Sequence, residues 1–249
     1  SYNEFLSFTH KPAGEQAVNE FLSRGAFPGL IKTGHTEALH QLYTEILCKD
    51  AVIAGGIRDR NTLQRMALHL ITNTGEPVTA NKLREKLKIK AVSTAAEHMQ
   101  CIETAGLVRF VSILSDNPAR QAVNPRKVYA VDTALAAAVS TAETVDRNKL
   151  FETMLFNHLC RESRSVCYTN EQGGCDFIAS DAEGGVRCIQ ACYDDDPDLM
   201  QTKTDGLLWA LRQTGSSRGT IVTADRNDRI DAENFEIEVI DADTFLGGY

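Results

Sequence analysis

No apolar stretch in this chain approaches the roughly 20 consecutive residues that a bilayer-spanning helix needs. The longest runs, such as Ala134-Leu-Ala-Ala-Ala-Val139, stop far short of it. The GxxxxGK[ST] spacing that cradles nucleotide phosphates is also missing, so ATP chemistry is not expected within these residues. Cysteines occur, seven of them, but without CxxC pairs and in odd number. That pattern predicts reduced, mostly buried thiols in a cytoplasmic protein, not a disulfide framework. Cys160, Cys167, Cys175, Cys188 and Cys192 crowd the last third beside His158, yet lack the paired spacing of a zinc site. Ser1-Tyr2-Asn3-Glu4-Phe5 has neither an initiator methionine nor the basic-then-apolar layout of a signal peptide, and is read as following an internal cut.

What is present is ordinary globular composition, 43% apolar and 24% charged, over a length sufficient for two domains. The net charge of −8 is uneven. Residues 79–130 hold nine Lys/Arg against four acids, a local +5 that leaves −13 for the remainder. Polyanion binding is therefore expected in that middle segment.

Leu39, Leu42, Tyr43, Ile46 and Leu47 recur with helical spacing, after a breaker cluster at 24–29 and an earlier helix near Glu15–Leu22. Leu63, Met66, Ala67, Leu70 and Ile71 give a second apolar face. Thr79 is placed to cap a short helix over Ala80–Leu87, and a third helix runs from near Ser93 to Gly106. Leu107–Val111 and Lys127–Val131 are β-rich and flank a polar segment. Three short helices and a hairpin predict a winged helix-turn-helix. On the third helix Thr94, Glu97, His98 and Cys101 are expected outward, Met99 and Ile102 inward. That face offers no Arg or Lys to guanine edges. The nucleic-acid-binding candidates are instead Lys82, Lys86 and Lys90 on the preceding helix and Arg120, Arg126 and Lys127 on the wing.

From residue 145 onward, a helix carrying Phe151, Met154, Leu155 and Leu159 bears Glu152 in its early part. Strands are expected at 166–168, 176–178, 187–193, 221–223 and 237–240, with a helix over about Pro197–Gln213, forming an α/β sandwich. An acid on a helix (Glu152), an aspartate opening a strand (Asp176) and Gln190-Ala191-Cys192 on the next strand follow the order of the PD-(D/E)xK nuclease centre. Glu152, Asp176 and Gln190 would be its oxygen ligands for Mg²⁺. Strand alternation puts Cys192 on the same face as Gln190, where that centre requires a lysine. A thiol supplies no cation there. Lys203, on the following helix, is the candidate replacement. Asp194-Asp195-Asp196 is read as a solvated loop.

Taken in order, Ser1–Leu6, Gly25-Ala26-Phe27-Pro28, Asp50 with Ile57-Arg58-Asp59, the winged-helix pattern, Leu150-Phe151-Glu152, Cys175-Asp176-Phe177 and Ile189–Tyr193 resemble the C-terminal part of prokaryotic AAA+ ATPases. The resemblance implies an α+β chain: a helical lid remnant over 1–60, a winged helix over 61–144 and a restriction-endonuclease-like domain over 145–249. It implies that the ATP-binding core lies outside these residues and that the nuclease motif is relaxed. The expected function is a non-catalytic recognition or regulatory module, with DNA or a protein as partner, no cofactor of its own, Mg²⁺ as the conceivable exception, and no membrane. The alternatives are a Mg²⁺-dependent DNase using Glu152, Asp176 and Gln190 with Lys203, or a winged-helix transcription regulator.

Overall fold

The computed structural model describes residues 1–27, 29, 36–49, 57, 59–115, 117, 121, 124–140, 146–194, 196–232 and 234–248. The sequence-predicted features at Pro28, Asp50, Arg58, Arg120 and Asp195 lie outside them. The chain is mixed α and β. Among the described residues no helix is long and apolar enough to cross a membrane.

Among the described residues, helices α1 (Tyr2–Thr9), α2 (Glu15–Arg24) and α3 (Thr36–Ile46) precede α4 (Arg60–Thr72). In α4 the apolar stripe Leu63, Met66, Ala67, Leu70 and Ile71 is wholly buried, as its spacing predicts. Thr79 caps α5 (Ala80–Leu87) by accepting from the Lys82 amide, and α5 ends at Lys88 in a left-handed conformation. Helix α6 (Val92–Thr104) buries Met99 and Ile102 as expected, but also His98, which is 3% exposed. The outward position expected for His98 is thus corrected: Ala95, His98, Met99 and Ile102 form one inward face. Its Nδ1 has no hydrogen-bond partner, and burial pushes its pKa down.

Strands β1 (Pro77–Val78), β2 (Val108–Val111) and β3 (Arg126–Ala130) form an antiparallel sheet in the order β1-β3-β2. A short helix, α7 (Thr133–Val139), follows, capped by the buried Asp132. Then comes α8 (Arg147–Glu162), whose buried face includes Phe151, Met154, Leu155 and Leu159. The remaining strands are β4 (Ser165–Thr169), β5 (Cys175–Ser180), β6 (Val186–Cys192), β7 (Arg218–Thr223), β8 (Asp228–Ala232) and β9 (Phe235–Asp241). They build one six-stranded sheet in the order β4-β5-β6-β7-β9-β8. The first three form an antiparallel meander. Helix α9 (Pro197–Thr214) then crosses over, so that β7 runs parallel to β6 and β9 parallel to β7. The chain turns finally into α10 (Ala242–Gly247). Helix α9 covers one face of the sheet, over Ile178, Cys188, Ile221 and Ile237. The other face, with Phe177, Ile189 and Val222, joins a larger core that takes in Phe151 and Leu155 of α8.

That larger core runs from Tyr2 to Leu246 and includes side chains from all three of the expected segments. The two sheets are also tied directly. The Leu114 amide donates to the Tyr168 carbonyl at 2.7 Å, the Tyr168 amide to Ser112 at 3.2 Å, and the Tyr168 hydroxyl to Pro125 at 2.6 Å. These bonds tie the chain just after β2 and just before β3 to β4, the strand beside β5.

Candidate functional site

Asp176 stands second in β5, after Gly173 and Gly174, which both hold positive φ. The turn that these glycines permit lets α9 approach closely: a Cβ on Gly206 would lie 1.9 Å from the Gly174 carbonyl oxygen. Close approach brings Lys203, one turn before Gly206 on α9, over the strand. Its Nζ donates to Asp176 Oδ2 at 2.5 Å. Lys203, the candidate replacement lysine, therefore contacts the aspartate.

A second lysine arrives from the other sheet. Lys127 Nζ lies 2.8 Å from Glu152 Oε1 and 3.1 Å from Asp176 Oδ1, with the side chain 15% exposed. Tyr129, two residues on along β3 and so on the same face, donates its hydroxyl to Glu152 Oε1 at 2.6 Å. Its ring stacks on Phe156 of α8 at 4.2 Å. Lys127 is thus not a wing residue turned toward nucleic acid, and that expectation is corrected. The Lys-x-Tyr alternation carried the signal: an aromatic that must be buried drags the residue two positions away to the same inward face.

Two carboxylates and two ammonium groups balance one another in a nearly buried space. Burial alone would push the Asp176 carboxyl up, but Lys203 and then Lys127 outweigh it and hold the group well below the usual carboxylate range. Burial likewise opposes charge on both lysines, and Asp176, then Glu152, raise them above the ordinary lysine value. Burial, followed by the charge of Glu152, keeps Tyr129 firmly protonated as a donor. Asp176 Oδ2 also accepts from the Ala191 amide at 3.1 Å.

The other candidates are placed differently from expectation. Gln190 is completely buried. Its Oε1 accepts from the Asp176 amide at 3.1 Å, while its Nε2 donates to the Gly174 and Lys203 carbonyls at 2.7 and 3.0 Å. It therefore clamps β5 to α9 and does not present oxygen to a metal. Cys192 is buried among apolar side chains under α9, with its thiol 3.5 Å from the Asp194 carbonyl. Among the described residues no group of three His, Cys, Asp or Glu converges to hold a metal ion. The oxygens that Mg²⁺ would take from Glu152 and Asp176 are committed to Lys127, so the residues as they stand do not fit that cation.

The basic candidates on α5 lie elsewhere. Lys82, Lys86 and Lys90, with Lys88, are exposed, and among the described residues none of them forms an ion pair. The acid in their midst, Glu85, pairs with Arg84 and accepts from Asn81. Arg126 stacks over the Phe110 ring at 4.5 Å and lines an open groove of about 700 Å³ with Asn81, Val92, Gln121 and Asn124. Asp196 caps α9, and Asp194 accepts from Asn148 at 2.5 Å, so these two have structural partners. All seven cysteines are free thiols.

Residues 15–146, more than half of the chain, match a family described as a domain of unknown function (DUF8612), and the chain belongs to that family. No curated protein and no solved structure matches it.

Proposed function

We propose that this member of the DUF8612 family is a recognition module that binds the backbone of nucleic acid, attached to a nuclease-like domain whose centre no longer cuts. In this reading α4–α6 with β1–β3 are a winged helix, and α8, the β4–β6 meander, α9 and β7 are a restriction-endonuclease-like core. The whole is the C-terminal part of a AAA+ ATPase. The order of helix, antiparallel meander, crossover helix and parallel strand supports the second assignment. The observation that carries the functional reading is a contrast in how the cations are spent. Lys127 and Lys203 neutralise the carboxylates of the nuclease-like centre, whereas Lys82, Lys86, Lys88 and Lys90 face solvent unpaired among the described residues. An exposed lysine row attracts phosphates without reading sequence, and the outward face of α6, with Glu97 and Gln100 exposed, offers little for base edges.

Anisotropy of labelled single- and double-stranded DNA across a salt series tests this. Binding is expected to weaken linearly on a log–log salt plot, and Lys82→Gln/Lys86→Gln/Lys90→Gln to flatten the duplex slope by roughly 2–3. An unchanged slope in the triple variant would overturn the assignment. A second reading, a metal-dependent DNase, is favoured by the contact of Lys203 with Asp176. Under that reading the wild-type chain cuts DNA in Mg²⁺ or Mn²⁺, and both Asp176→Ala and Lys203→Ala abolish cutting. The degenerate centre predicts no cutting by any of the three.

A further inference from the structure

The mismatch between the carboxylates and the divalent cation that their order suggests has a specific cause. Glu152 on α8 and Asp176 on β5 share one cation, the Lys127 ammonium, within hydrogen-bond distance of both. Mg²⁺ or Mn²⁺ bound to the same Glu152 Oε1 and Asp176 Oδ1 would need oxygens at roughly 2.0–2.2 Å and would occupy the space that this ammonium fills. Charge argues the same way. Two carboxylates face two ammonium groups, so no surplus negative charge remains to draw a dication out of water. Lys203 does not fill the gap between the acids, because it contacts Asp176 through the other oxygen, Oδ2. Lys127 comes from a different sheet than Asp176, and its neighbours Pro125 and Tyr129 bond to Tyr168 and Glu152. Its position is therefore built from three directions.

We infer that the Lys127 ammonium is a tethered counter-ion that closes a latent divalent-cation seat between Glu152 and Asp176 and thereby pins β3 to the six-stranded sheet. This rests on the degenerate-centre part of the reading above and not on nucleic-acid binding. Without the ammonium, the site carries a net negative charge, Asp176 Oδ1 is freed and Glu152 Oε1 keeps only the Tyr129 hydroxyl as a donor, which leaves two carboxylate oxygens of the kind that Mg²⁺ or Mn²⁺ takes together with water.

The test is Mn²⁺ uptake by the full chain at constant ionic strength, followed by electron paramagnetic resonance and by thermal melting. Wild type is expected to take up no stoichiometric Mn²⁺. Lys127→Ala should bind one ion per chain and melt higher in Mn²⁺, and Lys127→Ala/Glu152→Gln should bind at least about tenfold more weakly. Lys127→Gln removes the charge but keeps hydrogen-bond donors, so it supplies a folded variant if the alanine form is unstable. It too should gain Mn²⁺ uptake. An alanine variant that is unfolded without metal and regains its circular dichroism with Mn²⁺, but not with sodium, gives the same result. The inference falls if wild type binds Mn²⁺ as tightly as the variants, if a folded variant binds none, or if the Glu152→Gln change leaves uptake intact. Wild-type uptake without DNA cutting overturns this inference alone. Uptake with cutting overturns the degenerate-centre reading as well.

Discussion

At the scale of single residues, Asp176 is the anchor of the charged cluster, because both lysines and the Ala191 amide converge on its two oxygens. Its depressed pKa makes it a pH-dependent source of stability. The carboxylate contributes fully above the unfolded aspartate value of about 4, and the contribution fades as pH falls from there toward the lower folded value. Lys127 and Lys203 are raised, so they contribute below the unfolded lysine value of about 10.4 and fade as pH rises through their folded values. The contribution of this cluster to stability in urea is therefore expected to plateau between about pH 4 and about pH 10, with the buried His98, whose pKa burial lowers, adding a separate loss below about pH 6.5. Asp176→Asn should lower the plateau by roughly 3–5 kcal/mol, since it leaves the buried Lys203 ammonium without its carboxylate partner, and should flatten the acid limb. A variant whose acid limb matches wild type would place the titrating group elsewhere. Part of this cluster was legible in the sequence. Glu152 and Asp176 follow from motif order and Lys203 stood as a candidate replacement, but charge counting assigned Lys127 to the wing. A formal charge count treats every lysine as solvated and cannot see that a buried Tyr129 turns its i−2 neighbour inward.

Among the elements, α9 is the one whose placement decides whether Lys203 meets Asp176. Its length and its cap at Asp196 follow from local sequence. The closeness of its approach does not, because it depends on two glycines far apart in the chain. Gly206 packs against the backbone of Gly174, and Gln190 then clamps the pair through the Gly174 and Lys203 carbonyls. Helix propensity alone predicts that Gly206→Ala stabilises α9 by about 1 kcal/mol. Contact with a backbone carbonyl predicts the opposite sign, because backbone cannot swing aside as a flexible side-chain tip would. The expected result is a net loss of roughly 1–3 kcal/mol in urea. A stabilised Gly206→Ala would show that the helix can slide off the turn at no cost. The same limit explains α6. Helical spacing identified Met99 and Ile102 as inward, but His98 was counted as polar and therefore outward, whereas the packing around it accepts a neutral imidazole.

For the molecule as a whole, the long-range contacts outrun what segment-by-segment reading anticipates. Most strands and helices of the last hundred residues were visible as alternation and turn signals, but β8, α10 and the partner of the opening helices were not. α1 and α2 pack beside α10. The Tyr2 hydroxyl donates to Asp243 Oδ1 at 2.5 Å, the Gly14 amide donates to the same oxygen at 2.8 Å, and Tyr2 and Phe5 both pack on Phe21. Since the core there is continuous with that of the two sheets, loosening one end should loosen everything. Trp209, the only tryptophan, sits on α9 against the six-stranded sheet and reports on that region alone. Circular dichroism at the helical minimum reports mainly on the helices, most of which precede it. The two probes are expected to give coincident urea transitions in wild type, the mark of one cooperative unit. Tyr2→Phe, which strands Asp243 without its hydroxyl donor, should cost about 1.5–3 kcal/mol and shift both transitions by the same amount, although Tyr2 and Trp209 are far apart in sequence. A shift seen by circular dichroism but not by tryptophan fluorescence would mean that the opening helices and the six-stranded sheet unfold independently, and that the shared core does not couple them.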